Sequence, residues 1–254
     1  MSKDSILKTF IVALVICLLC AITVSWTATK LKPRQEENKM LDRQTNVLKA
    51  AGLVDAKESP SAAKVKELFA KVDAVVVNLD SGRVRENVKP EELRERLDPI
   101  PKEEDFAGIK ERPDEVVVYL VKNDSGVIDS VILPIYGRGL WSVMYGFLAL
   151  SGDFTTVKNV TFYDHGETPG LGGEISNPSW TGKWTGKTAL DGEGLPVVHI
   201  IKGNVDPTSD SAAEEIDGIS GATLTCNGVN GTIRYWLGEY GFGEYLKNLK
   251  SGRQ

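Results

Sequence analysis

The stretch from Thr9 to Ala28 contains twenty consecutive residues without a formal charge, crowded with Ile, Leu, Val and Ala. A helix rising about 1.5 Å per residue needs roughly that many residues to cross a hydrocarbon layer about 30 Å thick. Lipid offers backbone N–H and C=O groups no partners, so a lone segment of this kind must form a helix that satisfies its own. Residues 9–28 are therefore expected to be a single transmembrane helix, preceded by a short amino terminus at 1–8, with Trp26 at an interface. A cleaved signal peptide fits less well, because the run is long for such a segment and Thr27-Ala28-Thr29 is a poor cleavage site. Lys3 and Lys8 precede the span and Lys30, Lys32, Arg34 and Lys39 follow it. Those flanking charges alone would put the rest of the chain in the cytoplasm.

The remainder has a different character. With 254 residues in all and 41% hydrophobic, the chain can bury a core in one or two domains. Its net charge of −5 argues against nucleic acid, which calls for a basic face. Two histidines and three cysteines leave little for a metal site, and no C-x-x-C pair lies beyond the apolar run. Cys17 and Cys20 lie one turn apart within that run. They read either as small apolar side chains or as a shared face that binds something between neighbouring membrane helices. Cys226 has no partner for an internal disulfide beyond the membrane and is expected to pack within a helix.

Residues 29–112 read as a membrane-proximal region. The polar run from Lys30 to Lys39, with Pro33, is expected to be a linker. Met40, Leu41, Val47, Leu48 and Ala51 form an amphipathic stripe ended by Gly52, a second helix is expected over about 62–71, and charged, proline-bearing surface structure over 81–112. The domain proper is expected at 113–254. Val116 to Val121 and Val127 to Tyr136 are β-rich runs joined by Asn123-Asp124-Ser125-Gly126, a hairpin signal. Val157 to Tyr163 and Val197 to Lys202 supply further strands, Ser142 to Leu150 reads as a helix, and a final helix runs from Leu224 to Tyr240. Together these predict an α+β fold, a largely antiparallel sheet with flanking helices behind one amino-terminal transmembrane helix.

The chemistry concentrates at Asp217-Gly218-Ile219-Ser220-Gly221-Ala222-Thr223. Its two glycines let successive N–H groups turn toward one anion, and the helix that follows begins with unpaired N–H donors that favour negative charge. A phosphate beside Thr223 suits that geometry. Simple capping of the helix by Ser220 or Thr223 is the plainer reading. Two other segments are decoys. Gly182-Lys183-Trp184-Thr185-Gly186-Lys187-Thr188 resembles a P-loop but has Thr181 where the pattern needs glycine, and reads as a turn with basic surface residues. Gly170-Leu171-Gly172-Gly173 lacks the spacing of a dinucleotide fingerprint.

Asp217 to Thr223 resembles the D-x-x-S-G-A-T flavinylation motif, in which a transferase moves FMN from FAD onto the threonine oxygen. His165 to Glu174 is similar to an E-T-P-G-L-G segment, and Gly139-Leu140-Trp141-Ser142 resembles another landmark of the same family. With the anchor and Trp236-Leu237-Gly238, nearly the whole chain is similar to the C subunit of bacterial Na+-translocating NADH:quinone oxidoreductases. The resemblance implies a flavoprotein subunit of an oxidoreductase complex. Covalent FMN would be held as a phosphoester on Thr223, and electrons from NADH would be relayed toward ubiquinone with coupled sodium export. It implies partners in the other subunits, a flavin transferase and the inner membrane, with the large domain in the periplasm, opposite to the flanking charges.

The residues it marks for the cofactor are Asp217, Ser220, Gly221, Ala222, Leu224 and Thr225 around Thr223. Leu140 and Trp141 would form an apolar wall, and Glu167, Thr168, Leu171 and Gly172 would border the flavin; Lys202, at the end of an expected strand, is placed to face the phosphate. For Glu167 and Thr168 the surface-turn reading stays open, for Leu140 and Trp141 that of core residues, and for Lys202 that of an exposed salt bridge. No catalytic residue is expected, since nothing nearby activates a threonine hydroxyl. The related Rnf electron-transport subunit uses the same motif. An anchored periplasmic protein binding a free anion, without redox chemistry, is the alternative of another class.

Overall fold

A computed structural model describes residues 6–86, 88–90, 93 and 96–252. Helix α1 spans Ile6–Ala50 without interruption and carries Pro33 inside it. The expected linker at 30–39 is therefore helical, since one proline does not end a helix whose neighbouring turns continue on both sides. The chain divides into two compact units, Met1–Arg43 and Gln44–Gln254. In the first, the apolar side chains from Phe10 to Trp26 are exposed throughout. The second starts within the last turns of α1, where Val47 and Leu48 are wholly buried, while Met40 of the expected stripe stays exposed in the first unit.

The expected boundary at 112/113 falls inside this second unit. After α2 (Ala62–Phe69), strand β1 (Val72–Asn78) pairs along its whole length with β5 (Glu115–Lys122), and β2 (Arg83–Val84) flanks it. The sequence pattern alone did not single out β1, although Val72 and Val75 to Val77 are β-branched and carry a strand signal. Between them, β3 (Leu97–Pro99) and β4 (Glu111–Pro113) form a small separate ladder. The hairpin over Asn123 to Gly126 is present, leading into β6 (Ile128–Arg138). Strands β7 (Val143–Ser151) and β8 (Val157–Asp164) complete a six-stranded sheet in the order β2-β1-β5-β6-β7-β8, with every neighbouring pair antiparallel.

β7 corrects the helix expected over Ser142 to Leu150. The near-continuous apolar run there has no period of its own. Pairing with β6 on one side and β8 on the other satisfies its backbone groups, and that decides the outcome. The strand expected over Val197 to Lys202 shrinks to β9 (His199–Ile200), paired in parallel with β10 (Glu215–Ile216). Between β8 and β9 lie a short 3-10 helix (Gly172–Ser176), α3 (Pro178–Thr181) and a further 3-10 turn at Gly182–Trp184. Helices α4 (Thr223–Leu237) and α5 (Gly243–Lys250) close the chain, and α5 is an addition to the expected elements.

Residue parity sorts the sheet's two faces. Val118, Leu120, Val131, Leu133, Ile135 and Leu148 share one cluster with Val229, Ile233, Trp236 and Leu237 of α4. Burying each such aliphatic side chain contributes about 1.5–3 kcal/mol. The Trp236 indole also donates to the Tyr136 carbonyl at 2.6 Å. On the other face Tyr119 meets Phe69 of α2 and Phe147 of β7 edge-on, and Asn159 donates to the Lys49 carbonyl at 3.0 Å. Both faces of β5 are thus covered, which is why it reads Val-Val-Val-Tyr-Leu-Val with no polar alternation. This packing fixes α4 on the sheet, and the helix start carries the site.

Candidate functional site

Thr223 is the first residue of α4. Ala222 occupies the capping position and no side chain caps the helix, so neither Ser220 nor Thr223 plays the capping part weighed above. The N–H groups of Thr223, Leu224 and Thr225 have no partner among the described residues, and the helix dipole adds positive character there. Gly221 before it takes φ +73°, open to glycine and strained for others, and Gly218 packs where a Cβ would lie 2.4 Å from the Ile201 carbonyl oxygen. The Thr223 hydroxyl is exposed and makes no hydrogen bond to any described residue.

Thr225, two residues on, is its opposite. It is 1% exposed, and its hydroxyl donates to Glu167 Oε2 at 2.5 Å. One helix start therefore carries a presented hydroxyl and a sequestered one. Cys226 packs inward as expected, and burial raises its thiol pKa.

The loop separates two cavities, and both reach Gly221 and Thr223. One, of about 370 Å3, is lined by Lys202, Asn204, Ser220 and Asn227 together with Ile200, Ile201 and Ile219. Lys202 is exposed and forms no ion pair among the described residues, so its charge is available to that cavity. The other, of about 210 Å3, is lined by Leu140, Trp141, Glu167, Thr168, Leu171 and Gly172 together with Ala222, Leu224 and Thr225. Trp141 is 67% exposed, and Leu140, Leu171 and Leu224 are also exposed. This sets aside the reading of Leu140 and Trp141 as core residues. Apolar side chains from three chain segments converge there on the acceptor loop.

Leu140 and Trp141 form the tip of the β6–β7 turn, closed by the Gly139 N–H donating to the Ser142 carbonyl at 2.8 Å. The 165–176 segment is both a turn and a wall: the Thr168 carbonyl accepts from Leu171 and Gly173 while its neighbours line the cavity. Glu167 is 5% exposed and accepts from Trp141 N at 2.9 Å and Leu140 N at 3.2 Å as well as from Thr225. Burial pushes its carboxyl pKa up. The Thr225 hydroxyl and the N–H groups of Trp141, Leu140 and Ser142 more than reverse this, so it lies below the ordinary carboxylate value.

Asp217 does not line either cavity. Its carboxylate accepts from Lys183 Nζ at 2.6 Å and from Val205 N at 2.7 Å, and its carbonyl accepts the Trp180 indole N–H at 2.9 Å. The Lys183 hydrogen bond, followed by that from Val205, lowers the Asp217 pKa. In the sequence Lys183 belongs to a decoy turn; the fold delivers it to the acceptor motif. Asn204 and Asn227 were also missed, and no local pattern marks them.

An uncapped helix start with a presented hydroxyl, an available lysine nearby and an exposed apolar wall lie within residues 139–238, which match the FMN-binding domain family. The C subunit of the Na(+)-translocating NADH-quinone reductase from Pseudomonas aeruginosa is 46% identical over 99% of this chain and 98% of its own length. Its counterpart from Yersinia pestis is 44% identical over 99% of this chain and 96% of its own. The crystal structure of Shewanella oneidensis NqrC superposes with a TM-score of 0.74 at 35% identity, covering 84% of this chain and 99% of that one. The chain belongs to the NqrC family, the C subunits of Na+-translocating NADH-quinone reductases.

Proposed function

We propose that this chain is the membrane-anchored flavin carrier of such a reductase, holding FMN as a phosphoester on Thr223. The contrast between the two threonines carries the reading: the Thr223 hydroxyl stands free at an uncapped helix start, whereas that of Thr225 is buried against Glu167. The residues present fit the group. The first-turn N–H donors of α4 and Lys202 would take the phosphate's charge, and Leu140, Trp141, Leu171 and Leu224 would offer the flat ring an apolar surface. Bound there, FMN supplies the ability to accept and release electrons, and the protein sets its exposure and surroundings. Because the ester prevents loss, the site can stay open, which suits exchange of electrons with a neighbouring subunit.

No base contacts the Thr223 hydroxyl among the described residues, so its activation falls to a separate flavin transferase. The uncharged portion of α1 is the membrane anchor. We place the large domain in the periplasm, where the transferase of the family works, because long domains cross largely regardless of flanking charge. The full chain, co-expressed with a flavin transferase, should show in-gel flavin fluorescence that disappears in Thr223→Ala and persists in Thr225→Ala. Fluorescence surviving the first change, or a mass adduct on another residue, would remove the assignment.

A further inference from the structure

Glu167 is the one acidic side chain that touches both the apolar wall and the acceptor helix among the described residues. Its carboxylate joins elements far apart in sequence: the N–H groups of Leu140 and Trp141 at the β6–β7 turn, and the Thr225 hydroxyl in the first turn of α4. The surrounding backbone is built around it. A Cβ on Gly139 would lie 2.6 Å from Glu167 Oε1, and one on Gly172 would lie 2.9 Å from Oε2 and 2.4 Å from Thr225 Oγ1. Two glycines thus leave space for this carboxylate and its partners. The charge is stabilised by donors on two sides, which is what a buried carboxylate requires.

We infer that Glu167 is a positioning residue that clasps the Leu140–Trp141 wall to the start of α4, and so sets how the tethered ring meets Trp141. The inference rests on the proposed flavin at Thr223 for its last step only. Leu140 and Trp141 are exposed and gain little from packing, and while α4 packs at Gly228 against the base of their turn and Ser142 Oγ accepts from Gly166 N, the Glu167 bonds are what tie the tip itself to the Thr225 end of the helix. Glutamine has the same shape but one acceptor fewer. Whichever way its amide turns, an NH2 group faces the N–H of Leu140 or of Trp141.

The test has two arms, both on the full chain. In a Thr223→Ala background, which carries no flavin on this reading, Glu167→Gln should speed amide hydrogen exchange in peptides spanning 139–142 by about tenfold, the cost of one part-buried donor left unpaired. In the flavin-loaded chain, the same change should raise flavin emission per attached flavin, counted by peptide mass, because an adjacent indole quenches that emission. The gain should vanish in a Trp141→Phe background, a non-additivity that a general loosening would not produce. Thr225→Val, which removes only the helix side of the clasp, should give smaller changes in the same directions if Glu167→Gln folds poorly. Unchanged exchange overturns the clasp, and faster exchange with unchanged emission overturns its role toward the ring. A wild-type chain without flavin on Thr223 sinks the functional reading instead, and the exchange arm still judges the clasp.

Discussion

Two regions of this chain leave large apolar side chains uncovered, and they do so on different physical terms. Along α1, Phe10, Leu14, Leu18 and Trp26 belong to one uninterrupted helix whose backbone satisfies itself. At the proposed flavin site, Leu140, Trp141, Leu171 and Leu224 come from three separate segments and meet only because β6, β7 and α4 are packed as they are. The first surface is continuous and unspecific, suited to lipid. The second is small, borders the free Thr223 hydroxyl, and shares Gly221 and Thr223 with the neighbouring cavity that Lys202 lines. Exposed apolar area therefore identifies a partner only through the polar groups beside it.

The contrast is open to direct challenge. A charge in the middle of the first surface should have the largest effect: Leu18→Arg is expected to cost about 2.5–3.5 kcal/mol of insertion, roughly a hundredfold. Alkaline extraction of membranes would then release the chain, whereas an α1 that serves no bilayer would tolerate the change. At the second surface, Gly172→Ala drives a Cβ against the Thr225 hydroxyl and should lower stability by about 1–3 kcal/mol, read from denaturant midpoints.

A smaller effect is expected in acid. Glu167 has a folded pKa below its ordinary value of 4.5, so its stabilisation is complete above about that pH and is lost as pH falls through the lower folded value. Asp217 behaves likewise from an ordinary value of 3.8. Unfolding midpoints should therefore fall as pH drops through and below 4.5, and Glu167→Gln should flatten that limb. Smallest of all, Trp141→Ala should change stability by no more than about 0.5 kcal/mol, since the side chain is largely exposed. It should nevertheless alter the flavin's emission. A large loss of stability would mean that Trp141 belongs to the core.

Sequence and structure agree most closely where a signal is local. The turn at Asn123 to Gly126 gave its hairpin, and Leu224, Val229, Ile233, Trp236 and Leu237 marked α4 by their spacing. Ser142 to Leu150 failed because a continuous apolar run suits a buried helix or a strand, and only its neighbours β6 and β8 decide between them. The site shows the same division. The motif ending at Thr223, the Leu140 and Leu171 segments and Lys202 were marked in the sequence, and the fold brings them to two cavities that share Gly221 and Thr223. Lys183 was not, because it lies 34 residues before the aspartate it pairs with.

By itself, then, the order of residues settled what depends on near neighbours: a span compatible with lipid, an α+β pattern, and a glycine turn that opens a helix with threonine. Tertiary structure alone distinguished two threonines two positions apart, leaving one hydroxyl bare and sinking the other onto a carboxylate. Accessibility is decided by whatever chain packs overhead, and the groups that cover Thr225 come from a turn 58 residues away.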